Sequence, residues 1–173
     1  NYLLDSVKKN HILESSGPCG TFVYNPIIHD KTVVYIAGGS GITPFMSMIR
    51  DITDRGLDRK VYLFYGNSKL TDIIFHDELT RLANDFSDFF YIPVIEKASD
   101  NYTGVCGLIS GQILKQTLKD LSDKSFFLCG PKGLYDFCLP QLDHLDIPAR
   151  KIRQEVHGTP IDICDYPGWP KEV

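Results

Sequence analysis

Three glycines set between two apolar segments are the first residues whose spacing points to chemistry. Val33-Val34-Tyr35-Ile36-Ala37 runs into Gly38-Gly39-Ser40-Gly41, and Ile42-Thr43-Pro44 follows. The β-branched run reads as a strand, and small residues in the turn let backbone N–H groups approach a pyrophosphate. A helix restarting beyond the turn would aim its positive dipole end at the same charge. Thr43 has the chemistry of an N-cap and Pro44 that of a first helical residue, so the helix is expected over 44–55. The dinucleotide fingerprint is incomplete, however. It wants a third glycine on the helix, where Pro44 stands, and an acidic residue about 20 positions later. The next strand ends in Tyr65-Gly66-Asn67-Ser68-Lys69 without a carboxylate, and no Gly-Lys-Ser/Thr closes the turn as a P-loop would. Glycine turns also join strand to helix in parallel α/β folds that hold no phosphate. Other residues must decide.

Cys129 is one of them, because it ends a later apolar run and leads into Gly130-Pro131. Packing beneath that turn is one use for a small thiol, and contact with a bound ring is another. The remaining cysteines, Cys19, Cys106, Cys138 and Cys164, form no Cys-x-x-Cys pair with it or with each other. His11, His29, His76, His144 and His157 are equally scattered. Neither a disulfide framework nor a zinc or iron–sulfur site fits these spacings, so no metal is expected and most of the thiols read as buried small hydrophobes in a reducing compartment.

The elements that would position these residues alternate along the chain. Strand-length apolar runs near 32–37, 60–65, 89–95, 125–129 and 151–156 are separated by helical periods near 44–55, 75–84, 110–121 and 132–145. Such alternation predicts an α/β fold, a doubly wound five-stranded parallel sheet. Val61-Tyr62-Leu63-Phe64-Tyr65 is apolar almost throughout, as a strand covered on both faces must be. The loops at 38–43, 66–72 and 130–133 all fall at the carboxyl ends of strands, where ligands of such sheets bind. The first thirty residues stand outside the alternation. Ile12–Ser16 and Gly17–Phe22 read as a short strand and turn, and the chain is expected to begin inside a larger protein. Residues 159–173 are proline-rich and aperiodic, as linkers are. With 173 residues, 43% hydrophobic and 23% charged at net charge −4, the chain has a globular composition and no basic patch for nucleic acid. No apolar run approaches the roughly 20 residues that cross a bilayer, and no secretion signal opens the chain. A cytoplasmic setting is expected.

Together, Gly39-Ser40-Gly41-Ile42-Thr43-Pro44, Tyr65-Gly66-Asn67-Ser68, Cys129-Gly130-Pro131 and Arg153-Gln154-Glu155 resemble, in order and spacing, the nicotinamide-binding module of the ferredoxin reductase family. That resemblance covers roughly residues 32–158. It implies a Rossmann-like module over 31–158, with residues 1–30 as the end of a flavin-binding β-barrel and its connector. It further implies hydride transfer between NADH or NADPH and FAD or FMN on an adjacent flavin domain of the same protein, with a 2Fe-2S ferredoxin domain or partner as onward acceptor. By the same resemblance, Gly39, Ser40, Gly41, Ile42, Thr43 and Pro44 follow the pyrophosphate and nicotinamide ribose. Asn67, Ser68 and Lys69 meet the adenosine ribose, and Gly130, Pro131 and Lys132 complete the cofactor-binding set. Cys129 contacts the nicotinamide, and Glu155 is the second catalytic candidate. A lone Lys69, without the arginines usual where a 2′-phosphate binds, leans the reading toward NADH.

Two departures accompany the resemblance. His157 stands where an aromatic generally follows Glu155, and the Arg-x-Tyr-Ser/Thr signature for flavin is absent, so this chain alone is expected to bind flavin poorly. The electron-transfer subunit of dihydroorotate dehydrogenase shares the architecture but carries four clustered cysteines after the module, where this chain has Cys164 alone. The non-enzymatic alternative is a nucleotide-sensing or protein-interaction module on the same fold.

Overall fold

The computed structural model describes residues 5–14, 17, 20–99 and 101–156. Six parallel strands form one sheet: β1 (Thr32–Gly38), β2 (Lys60–Asn67), β3 (Phe89–Ile95), β4 (Val105–Cys106), β5 (Lys124–Gly130) and β6 (Ile152–Val156), in spatial order β4-β3-β2-β1-β5-β6. Four helices intervene: α1 (Ile42–Asp54), α2 (His76–Asp85), α3 (Gly111–Leu118) and α4 (Lys132–His144). Period-two alternation in β1 divides the core. Val33, Tyr35 and Ala37 point to one face, packed with Phe45, Met46 and Ile49 of α1 and Leu79 and Leu82 of α2. Val34 and Ile36 point to the other, against Leu114 and Leu118 of α3 and Cys138 and Leu142 of α4. A strand buried on both faces must be apolar throughout, which is why β1 and β5 carry no alternation of polarity.

The chain order reverses at β1, where it steps outward through β2, β3 and β4 and then returns to place β5 and β6 on the opposite side. Loops after β1 and β5 therefore part in opposite directions and open a crevice at the carboxyl edge.

Three expectations are corrected. The sheet has six strands rather than five, because the two-residue β4 adds to Val94 and Ile95 at the edge. Helix α1 begins at Ile42 with Gly41 as N-cap, so Thr43 and Pro44 are its second and third residues. Thr43 instead uses its hydroxyl to donate to the Ser40 carbonyl at 3.1 Å. No strand forms over 11–14, nor at the described residues 17 and 20–23. Residues 15, 16, 18, 19 and 157–173, which include Cys19, His157, Cys164 and the expected linker, lie outside the described residues. Pro93 is tolerated inside β3 because β4 pairs only with Val94 and Ile95, leaving the outer side at Pro93 without a ladder partner.

Candidate functional site

Two adjoining hollows occupy the carboxyl edge. The larger in lining, about 450 Å³, is walled by Gly38–Ser40 at the end of β1, Gly66–Ser68 at the end of β2, and Pro131, Gly133, Leu134, Phe137 and Cys138 at the start of α4. Gly107, Leu108 and Ile109 beyond β4 complete it, with Asp72, Ile74 and Glu96 at the rim. Its neighbour, about 560 Å³, lies between Gly38–Gly41, Thr43, Gly130 and Pro131. Turns far apart in the sequence thus meet at one place, with Gly38–Ser40 and Pro131 shared by both hollows.

The glycine turn is built by close approach. A Cβ on Gly41 would stand 2.1 Å from the Cys129 carbonyl oxygen, so only glycine lets the β1 and β5 turns touch. Gly39 has φ +52°, a left-handed backbone that glycine adopts at little cost. Of the donors that a helix start leaves unpaired, Ile42 N–H is turned back onto Gly39 and Ser40 carbonyls and Pro44 has none. Gly39–Gly41 and Thr43 line the neighbouring hollow beside this helix start. Ile42 itself is wholly buried and serves the core.

Asn67 is buried at the end of β2, and its Nδ2 has no hydrogen-bond partner. An unpaired buried donor costs about 1–3 kcal/mol unless a ligand or water meets it. Ser68 Oγ donates to Glu96 at 3.4 Å. Glu96 follows β3 and brings a carboxylate to the rim beside Ser68. It is the first charge beyond the apolar run of β3, and it reaches the end of β2 because adjacent parallel strands share a rim. Leu108 and Ile109 were missed because a two-residue strand has no periodicity to detect.

Not every expected residue lines these hollows. Lys69 borders a smaller cleft of about 240 Å³ together with Lys97, Ser99 and Tyr102. Lys132 is exposed and ion-paired with Asp136 at 2.6 Å. Cys129 is fully buried in the α1-side core, and the hollow's wall is formed by Gly130 after it. Burial, reinforced by the Glu155 charge, pushes its thiol up to about 11, so it is protonated at neutral pH and is no nucleophile. Glu155 is its register partner on β6 and is partly exposed. Cys138 is likewise buried, with its thiol at about 12, whereas Cys106 is exposed, against the expectation of burial.

The profile of the oxidoreductase NAD-binding domain family matches residues 35–139, well over half of the chain and including both glycine turns. The chain belongs to that family. This NAD-binding domain is 31% identical over 157 residues to the anthranilate 1,2-dioxygenase electron transfer component of Acinetobacter baylyi, covering 90% of the chain and 44% of that protein. It is 30% identical over 167 residues to NADH-cytochrome b5 reductase 3 of Mus musculus, covering 86% of the chain and 56% of that protein. The NAD-binding domain spans about half the length of these curated relatives. Among solved structures, the cytochrome b5 reductase domain of Ulva prolifera nitrate reductase superposes with a TM-score of 0.73 at 24% identity, over 80% of this chain and 57% of that one. The FAD/NAD-binding domain of nitric oxide dioxygenase from Vibrio cholerae gives 0.70 at 23% identity, over 91% of this chain and 63% of that one. These two likenesses establish the same fold. Among the described residues of the NAD-binding domain, no helix is long and apolar enough to cross a membrane.

Proposed function

We propose that this chain is the NADH-binding module of a flavin-dependent oxidoreductase, passing hydride from NADH to FAD on an adjacent domain and electrons onward to an iron–sulfur centre. The observation that carries the proposal is the meeting of the β1, β2 and β5 turns around connected hollows. In this reading the Gly39–Gly41 backbone and the α1 terminus hold the pyrophosphate. Asn67 and Ser68 meet the adenosine ribose, and Ile74, Leu108, Ile109 and Phe137 form an apolar slot of the kind that takes adenine. Glu96 accepts from ribose hydroxyls and repels a 2′-phosphate, while Lys69 and Lys97 flank a separate cleft. NADH is therefore the preferred donor.

The nicotinamide lies over Gly130 and Pro131 beside Thr43, with Cys129 packed behind and Glu155 on the neighbouring strand. The chain's own contribution is to hold the donor carbon at near-attack distance and to exclude water. The flavin, when present, supplies the hydride acceptor. Residues 1–30 are read as the end of the flavin barrel, 31–158 as the nucleotide module and 159–173 as a link toward another domain, in a cytoplasmic protein. Calorimetric titration with NADH, NADPH and ADP-ribose tests the nucleotide assignment. NADH binding tighter than NADPH and ADP-ribose supports it. Equal affinity for NADH and ADP-ribose favours a nucleotide sensor, and no binding refutes it.

A further inference from the structure

Two tyrosine hydroxyls stand behind the walls of the site, each bridging two backbone segments. Tyr65 on β2 is wholly buried, and its hydroxyl donates to the Gly39 carbonyl at 2.8 Å while accepting from Ile74 N–H at 3.4 Å. Gly39 belongs to the glycine turn, and Ile74 leaves the short helical turn Leu70–Asp72; both line the 450 Å³ hollow. One phenol thus links the pyrophosphate wall to the adenosine wall. Tyr135, in the first turn of α4 and 7% exposed, accepts from Gly130 N–H at 3.2 Å and donates to the Glu155 carbonyl. It links the turn beyond β5 to the strand end that carries Glu155.

Packing alone does not call for these hydroxyls. Phenylalanine fills the same space, and a phenol taken out of water is costly unless it is hydrogen-bonded. Tyr35 provides the internal contrast, being fully buried with a hydroxyl that has no partner. We infer that Tyr65 and Tyr135 are positioning residues for separate halves of the dinucleotide, Tyr65 for the adenosine and pyrophosphate half and Tyr135 for the nicotinamide half. The inference rests on the proposed nucleotide reading but assigns residues that the glycine and cysteine turns do not themselves identify.

Calorimetry of the unaltered chain, Tyr65→Phe, Tyr135→Phe and Tyr35→Phe with ADP-ribose and with NADH tests it. Tyr65→Phe is expected to weaken both ligands by a similar factor, roughly two- to tenfold, the scale of one hydrogen bond. Tyr135→Phe is expected to weaken NADH several-fold and leave ADP-ribose within about twofold, and Tyr35→Phe to leave both unchanged. Amide exchange in the unaltered chain gives a readout independent of how any variant folds, with Ile74 and Gly130 N–H both protected. Equal losses on both ligands in Tyr135→Phe, losses of the same size in Tyr35→Phe, or rapid exchange at either amide would overturn the inference. If the unaltered chain binds NADH and the variants match it, the inference alone fails; if it binds neither ligand, the nucleotide reading fails first.

Discussion

Both ends of the sheet are hollowed, and they are built differently. At the amino ends of β2 and β3, about 300 Å³ is enclosed by Ile49, Ile52, Thr53 and the loops at 56–59 and 85–89. Side chains line it, and Lys60 pairs with Asp88 nearby at 3.9 Å. At the carboxyl edge glycines of the β1, β2 and β5 turns share the walls with side chains, and the β1 and β5 turns touch through Gly41. Volume does not separate the two ends. What separates them is access to backbone amides and a helix start, which the parallel sheet supplies at one edge only.

The largest expected effect is at the closest approach. Gly41→Ala places a methyl group against the Cys129 carbonyl, so the β1 and β5 turns must separate. Overpacking of this kind costs about 1–3 kcal/mol, and NADH affinity should fall by more than about tenfold with a lowered thermal midpoint. Calorimetry and a melting curve read the two losses. Next in size, Glu96→Gln should raise NADPH affinity relative to NADH by about fivefold, the scale of one exposed charge interaction. Competition between the two nucleotides measures it.

Alkaline pH probes the buried thiols. An unfolded cysteine ionises near 8.5, whereas burial holds Cys129 at about 11 and Cys138 at about 12. The folded chain then binds more protons than the unfolded one, so stability is full below about pH 8.5 and declines as pH rises through about 11 toward about 12. Denaturant midpoints across that window check the sign. Alkylation near pH 8, followed by mass spectrometry, should label exposed Cys106 ahead of both. Smallest of all, Arg59→Ala at the amino-end hollow should leave NADH affinity within about twofold, which the same calorimetry reads.

What was legible in the residues follows the same division. Runs long enough to show period or continuous apolarity, such as Thr32–Gly38 and Phe89–Ile95, declared their strands to within a residue. The glycine and Cys129-Gly130-Pro131 turns declared the rim because backbone-lined sites restrict residue type. Thr43 and Pro44 misled by two positions, since a short 3-10 turn over Gly39–Gly41 runs directly into the helix and displaces the expected cap. Glu96 and Leu108 depend on which strands become neighbours, which local pattern does not encode. Tyr65 and Tyr135 bridge segments distant in sequence, a role that no local pattern around either residue announces.

The central claim is that one dinucleotide is held by turns from three strands together. Titrating the isotopically labelled chain with NADH, while following backbone amide resonances, tests it most directly. Gly39–Gly41, Asn67 and Ser68, and Gly130 with Gly133 should all shift along a single saturation curve, with the amides near Arg59 and Asp88 unmoved. Shifts confined to one turn, or saturating at different concentrations, or centred on the amino-end hollow would contradict it.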